Sequence, residues 1–180
     1  VVIHIGSEAK CKIPCPTLKV HKYNIKVSKS QRYLGDIISS SGTMKETIED
    51  RRNKGWGKVL DISGILSEMP DSRKVEIGLR MREAKLINGM IYSTEAWSKI
   101  TDSELVRLEQ VDMSLLRSLT EGHSKTSKAF VLLEFEVLKI RHLIIIRRLM
   151  YHHRLITRGD QELIKKVYSK QKQNSVKGDW

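Results

Sequence analysis

The chain has 180 residues, of which 39% are apolar, 6% aromatic and 30% charged, with a net charge of +12. That length suits one domain or two small ones and leaves room for a sizeable core. No apolar run approaches the roughly 18 residues that cross a bilayer, the first residues lack the ordered regions of a secretory leader, and two cysteines are too few for a disulfide framework.

The distribution of charge is more informative than its sum. Lys10, Lys12, Lys19, Lys22, Lys26 and Lys29 face only Glu8 near the N-terminus, ten Lys and Arg face three acids over residues 140–180, and the middle is balanced. Segregated cations favour a polyanion, because neutralising phosphates releases condensed counterions. A membrane surface is the weaker competitor, and basic tails on an ordinary soluble protein are the plainest alternative.

In chain order, strands are expected at Val1–Ile5, at Leu18–His21 and Ile25–Val27 around the polar Lys22-Tyr23-Asn24, and at Arg32–Ile38. The opening, mid-strand and without Met, suggests an excised fragment. After Gly42 the period becomes helical. Thr43 with Glu46, and Thr101 with Glu104, have the spacing of capping boxes, in which each side chain satisfies the other residue's free amide. Met44, Ile48, Gly55, Val59, Ile62 and Leu66 mark a first helix, Pro70-Asp71-Ser72 breaks it, and Val75–Ile91 supplies a second that should form a hairpin with the first. Leu105, Leu108, Val111 and Leu115 give a third helix ending near Gly122, Ser127–Phe135 a fourth, and Arg141–Thr157 a fifth. The polar tail from Asp160 is expected to fray.

Two cationic stripes stand out. Thr47, Arg51, Lys54 and Lys58 share one line of the first helix, beside its apolar face, and can follow a phosphate strand; the alternative is a solvated face paired with Glu46, Glu49 and Asp50. On the fifth helix Arg147, Tyr151, Arg154 and Arg158 lie roughly opposite Ile146, Leu149, Met150 and Ile156. Arginine with tyrosine suits a phosphate backbone with accessible bases, through planar hydrogen bonding and stacking. Trp56, between Gly55 and Gly57, reads as a packing anchor whose glycines admit a neighbouring element.

Evidence for catalysis is thinner. Glu49-Asp50 sits among arginines as a solvated salt-bridge pair would, and no phosphate-cradling glycine loop, Ser-His-Asp context or zinc-hydrolase motif occurs. Cys11, Cys15, His4 and His21 are the right ligand types for zinc but lack finger spacing, so an ordinary loop is the expected reading. No catalytic residue, metal site or cofactor is assigned to this chain.

Arg32-Tyr33-Leu34-Gly35-Asp36-Ile37-Ile38, leading into a long helix, resembles the stretch that follows the palm in reverse transcriptases of non-LTR retrotransposons. Ile3-His4-Ile5-Gly6, Ile13-Pro14-Cys15-Pro16, Leu86-Ile87-Asn88-Gly89-Met90 and Glu95-Ala96-Trp97 are similar to successive landmarks of the lineage that also carries a restriction-like endonuclease. Gly122-His123-Ser124-Lys125-Thr126 and Arg147-Arg148-Leu149-Met150-Tyr151 extend the resemblance to about residue 158.

The resemblance implies the end of the palm with a primer-grip hairpin over residues 1–42, a helical thumb over 43–99 and a helical linker over 100–180. The implied fold is α+β, mainly α. Tyr33, Leu34 and Gly35 match the primer-grip turn, where glycine lets the backbone approach a phosphodiester and the two side chains wedge against primer or core. The implied partners are an RNA template and a DNA primer, together with the rest of the parent's palm, fingers and endonuclease. The implied setting is intracellular, cytoplasmic and nuclear. Magnesium is implied only for the parent polymerase, held by paired aspartates before Val1, so this chain alone does not polymerise. One departure concerns the family's Glu-Leu-Gly-x-Leu-Pro turn, which reads Glu134-Phe135-Glu136-Val137-Leu138-Lys139 here, without the glycine and proline. Two other readings stay open: a free-standing basic nucleic-acid-binding module, and a helical protein-interaction domain.

Overall fold

The computed structural model describes residues 19–20, 23–24, 28–97, 100–120, 125–159 and 162–173. Short β-hairpins precede a helical body, an α+β fold that is mainly α, as the change of period after Gly42 implies. β1 (Lys19–Val20) pairs antiparallel with β2 (Tyr23–Asn24), which puts Tyr23 and Asn24 in a strand rather than in the expected turn. β3 (Ser30–Tyr33) pairs antiparallel with β4 (Asp36–Ser39), Tyr33 opposite Asp36. The single strand expected over Arg32–Ile38 is therefore folded back on itself. Leu34 and Gly35 make the turn with φ of +47° and +93°, the paired positive values of a two-residue type I′ hairpin.

α1 (Lys45–Ser67) follows, then α2 (Asp71–Met81), which continues through a π-helical stretch, Arg82–Ile87, into α3 (Asn88–Met90). The second helix thus starts earlier than its apolar period suggests, because Pro70 at the cap position is extended and leaves Asp71 at the helix start. α4 (Asp102–Leu119), α5 (Lys128–Glu134) and α6 (Ile140–Thr157) match the expected third to fifth helices. The tail expected to fray carries a further helix, α7 (Leu163–Gln173).

Only one of the two capping boxes forms. Thr101 accepts from the Glu104 amide while Glu104 accepts from the Thr101 amide, closing both halves. At the other site the cap position falls on Met44, so Thr43 stands one residue outside the helix and Glu46 one position too early. Glu46 instead accepts from Ser39 Oγ at 3.2 Å, and Thr43 bonds to Ser41. A tertiary partner has displaced the local one.

The main core gathers Ile48, Val59, Ile62 and Leu66 of α1, Leu86, Ile87, Met90 and Ile91, the α4 residues Leu108, Val111, Leu115 and Leu119, and Ile140 and Ile144 of α6. Trp56 packs half-buried against it. Gly55 is the point of closest approach: a Cβ there would meet Met90 Sδ at 2.8 Å and Val111 Cγ1 at 3.0 Å, so glycine lets α1 press against two neighbours at once. Gly57 faces open space. Arg82 spans from the π-helical stretch to α4, its Nε and Nη2 donating to Asp112 at 2.6 and 2.7 Å in a buried bidentate pair. Burial pushes the Asp112 carboxyl up, and Arg82 opposes that shift.

One loop and one helix resolve points left open by sequence. Glu136, standing where the resembled turn carries glycine, has φ +51°, so the chain keeps a left-handed bend without the residue that favours it. α6 faces the core with Ile140, Ile144 and Leu155 and exposes Ile145, Ile146, Leu149, Met150 and Ile156. The apolar residues expected opposite the basic stripe, Ile146, Leu149, Met150 and Ile156, are thus exposed.

Candidate nucleic-acid interface

The hairpin β3–β4 is held to α1 by a polar joint. Thr47 Oγ1 donates to the Ile37 carbonyl at 3.0 Å and accepts from the Ile37 amide at 2.9 Å, doing for β4 what a neighbouring strand would do. Thr47 is fully buried, so it is not part of an outward stripe.

Arg51 is the second fastening. It is only 8% exposed. Its Nη2 donates to the Gly35 carbonyl at 3.1 Å and to Asp36 Oδ1 at 2.9 Å, and its Nη1 donates to the Gly89 carbonyl at 3.3 Å. The guanidinium also stacks over Tyr92, 5.2 Å from the ring centroid. Asp36 accepts a further bond from Ser93 Oγ at 2.5 Å. Arg51, expected to meet a phosphate, is therefore committed inside the protein, where it joins the hairpin turn to the end of α3.

The other two cations of that stripe remain at the surface. Lys54 is exposed and paired with Asp50, which also accepts from Arg32 at 2.7 Å. The Arg32 and Lys54 bonds hold the Asp50 carboxyl below the usual range, with burial opposing them. Lys58 differs, since it makes no ion pair among the described residues. Its Nζ donates to the Lys85 carbonyl at 2.8 Å and its side chain lies over Gly89. Partial burial, then repulsion from Arg51 and Lys54, lowers its pKa.

The tip itself projects outward. Tyr33 is 62% and Leu34 74% exposed, so neither wedges into the core. Gly35 lies behind them, its carbonyl fixed by Arg51.

The second stripe is divided. Arg147 donates to the Ile91 carbonyl at 3.1 Å and to Asn88 Oδ1 at 2.7 Å, and Tyr151 is half-buried. Arg154 is exposed, and Arg158 pairs with Glu162 at 2.8 Å. Arg148, just off the stripe, donates to the Thr94 and Trp97 carbonyls at 3.0 and 2.9 Å, and burial lowers its pKa.

Arg51 and Lys58 from α1 and Arg147 and Arg148 from α6 thus converge on the carbonyls of residues 85–97. That segment includes the C-terminal end of a helix, where the free carbonyls carry partial negative charge. Arg51 and Lys58 of the first stripe and Arg147 of the second, distant in sequence, thus meet at one place. Tyr92, half-exposed between the hairpin turn and this cluster, is the residue that sequence reasoning missed. Its one sequence signal is an aromatic placed directly after the last apolar residues of the second helix.

Among the described residues no group of three His, Cys, Asp or Glu could hold a metal ion, and no helix is long and apolar enough to cross a membrane. Cys11, Cys15, His4 and His21 lie outside those residues. Comparison with protein-family models, with curated proteins and with solved structures gives no match.

Proposed function

We propose that the chain positions an RNA template paired with a DNA primer, as the primer-grip, thumb and linker part of a retroelement RNA-directed DNA polymerase. The observation that carries this reading is the joint between the hairpin tip and the end of α3: Arg51 fixes the Gly35 turn while Tyr33 and Leu34 project beyond it. A rigid turn with exposed side chains is suited to holding a strand in register, and Lys54 and Lys58 lie on the adjoining helix to meet phosphates. The left-handed Glu136, at the glycine of the resembled turn, is separate support for the resemblance.

The role is positioning rather than bond-making. In an A-form-like hybrid the accessible groups are phosphates and hydroxyls, so binding should be independent of base sequence. In this reading the magnesium and its aspartates belong to the palm of the parent, which acts in the cytoplasm and nucleus.

Salt titration tests the proposal. The 180-residue chain should bind an RNA–DNA hybrid with affinity that falls steeply as salt rises. Replacing Lys54 and Lys58 by Gln should weaken binding for every sequence alike and reduce the log–log salt slope by about two, roughly one per lost phosphate contact. Affinity independent of salt would contradict the reading. A helical protein-interaction domain is the second reading, drawn from the exposed Ile145, Leu149 and Met150 on α6; failure to bind the hybrid even at low salt would favour it.

A further inference from the structure

Tyr92 is not part of either stripe, yet its surroundings are those of a ligand-facing ring. The Arg51 guanidinium lies over the ring at 5.2 Å, and a Cβ built on Gly35 would sit 3.6 Å from Tyr92 Cε1, so one side of the ring is backed by the hairpin turn and its fastening. The residue is nevertheless 50% exposed. Both neighbours are fixed: Arg51 has three protein acceptors besides the ring, and Gly35 is held through its carbonyl. An aromatic side chain placed this way loses little conformational freedom when a flat group settles on it.

The chemistry of the neighbourhood selects that group. Lys58, with no ion pair among the described residues, donates to the Lys85 carbonyl and overlies Gly89, and Arg51 donates to the Gly89 carbonyl. An exposed ring on the segment that also accepts the bond of a lysine without an ion pair among the described residues fits a ligand with a flat face and a negative charge near it, which describes a nucleotide. Bases inside a duplex already stack on both faces and cannot use such a ring; an unpaired base can. We propose that Tyr92 is a stacking site for one unpaired nucleotide, carried by the strand that the hairpin tip holds. The inference rests on the nucleic-acid reading above and adds the residue and the state of the base.

A test uses the full chain and two RNA–DNA hybrids of equal length, one blunt and one ending in a single unpaired 2-aminopurine on the DNA strand. The overhang should improve affinity by about tenfold, within the range for one base on an aromatic ring, and the 2-aminopurine fluorescence should be quenched on binding. Tyr92→Leu should bring the affinities for the two hybrids together and abolish the quenching, whatever it does to binding of the blunt hybrid, and Tyr92→Phe should retain both the advantage and the quenching. Circular dichroism of each variant checks that the fold persists. Equal affinity of the unaltered chain for the two hybrids, or an overhang advantage that survives Tyr92→Leu, overturns the stacking site while leaving the positioning role intact. Failure of the unaltered chain to bind either hybrid overturns the positioning role and the stacking site with it.

Discussion

Arg51 donates to Asp36 at 2.9 Å across 15 residues of sequence, and this pair fixes the hairpin turn to the helical body. With its bonds to Gly35 and Gly89 it makes Arg51 a structural residue. Replacing it by Met should cost about 2–3 kcal/mol, below the full cost of breaking a deeply buried pair because Asp36 keeps Ser93 and some solvent. Arg51→Lys should recover only part of that loss, since an ammonium cannot span the same planar set of acceptors. Urea denaturation measures both, and a change below about 0.5 kcal/mol for Arg51→Met, the range of ordinary surface substitutions, would mean that the joint does not hold.

Gly35 has φ +93°, and a Cβ there would find its nearest neighbours, Arg51 Nη2 and Tyr92 Cε1, at 3.5 and 3.6 Å. Space is therefore available and conformation is not. Gly35→Ala should destabilise the chain by about 1–2 kcal/mol, whereas Gly35→Asn should cost less, because asparagine tolerates the left-handed region. If alanine and asparagine cost the same, the penalty comes from packing.

Glu136 should respond in the opposite sense. It is exposed, makes no ion pair among the described residues and has φ +51°. Glu136→Gly removes the left-handed strain but gives the unfolded chain more freedom, for a net gain of about 0.5–1 kcal/mol. Thermal unfolding should shift upward by a few degrees. A downward shift would indicate that the bend is not left-handed in solution.

The facing of α6 can be tested by paired truncations. Ile144 is buried and Leu149 is 62% exposed, so Ile144→Ala should cost about 2–4 kcal/mol and Leu149→Ala less than about 0.5. The reverse order would rotate the helix by roughly half a turn.

Sequence by itself determined the class of fold and most of its helices. The change of period after Gly42, the break at Pro70 and the Thr101–Glu104 box are local signals, and each is realised in the structure. The Thr43–Glu46 box shows the converse, since Ser39 captures Glu46. The tertiary structure alone decided which cations are available. One clue was present: Arg51 stands at i+3 from Ile48 and i−4 from Gly55, so the spacing already placed it at the border of the apolar face, nearer to the core than Lys54. Why a charge is tolerated there is not a local property. The carbonyls of Gly35 and Gly89, the Asp36 carboxylate and the Tyr92 ring converge on Arg51 only after the hairpin has folded back at Leu34-Gly35. Likewise Ile145 and Leu149 are as apolar as Ile144, and what separates them is which side of α6 meets α4. Periodicity reports that a helix has two faces, but the free energy of burying one of them depends on the neighbour it meets.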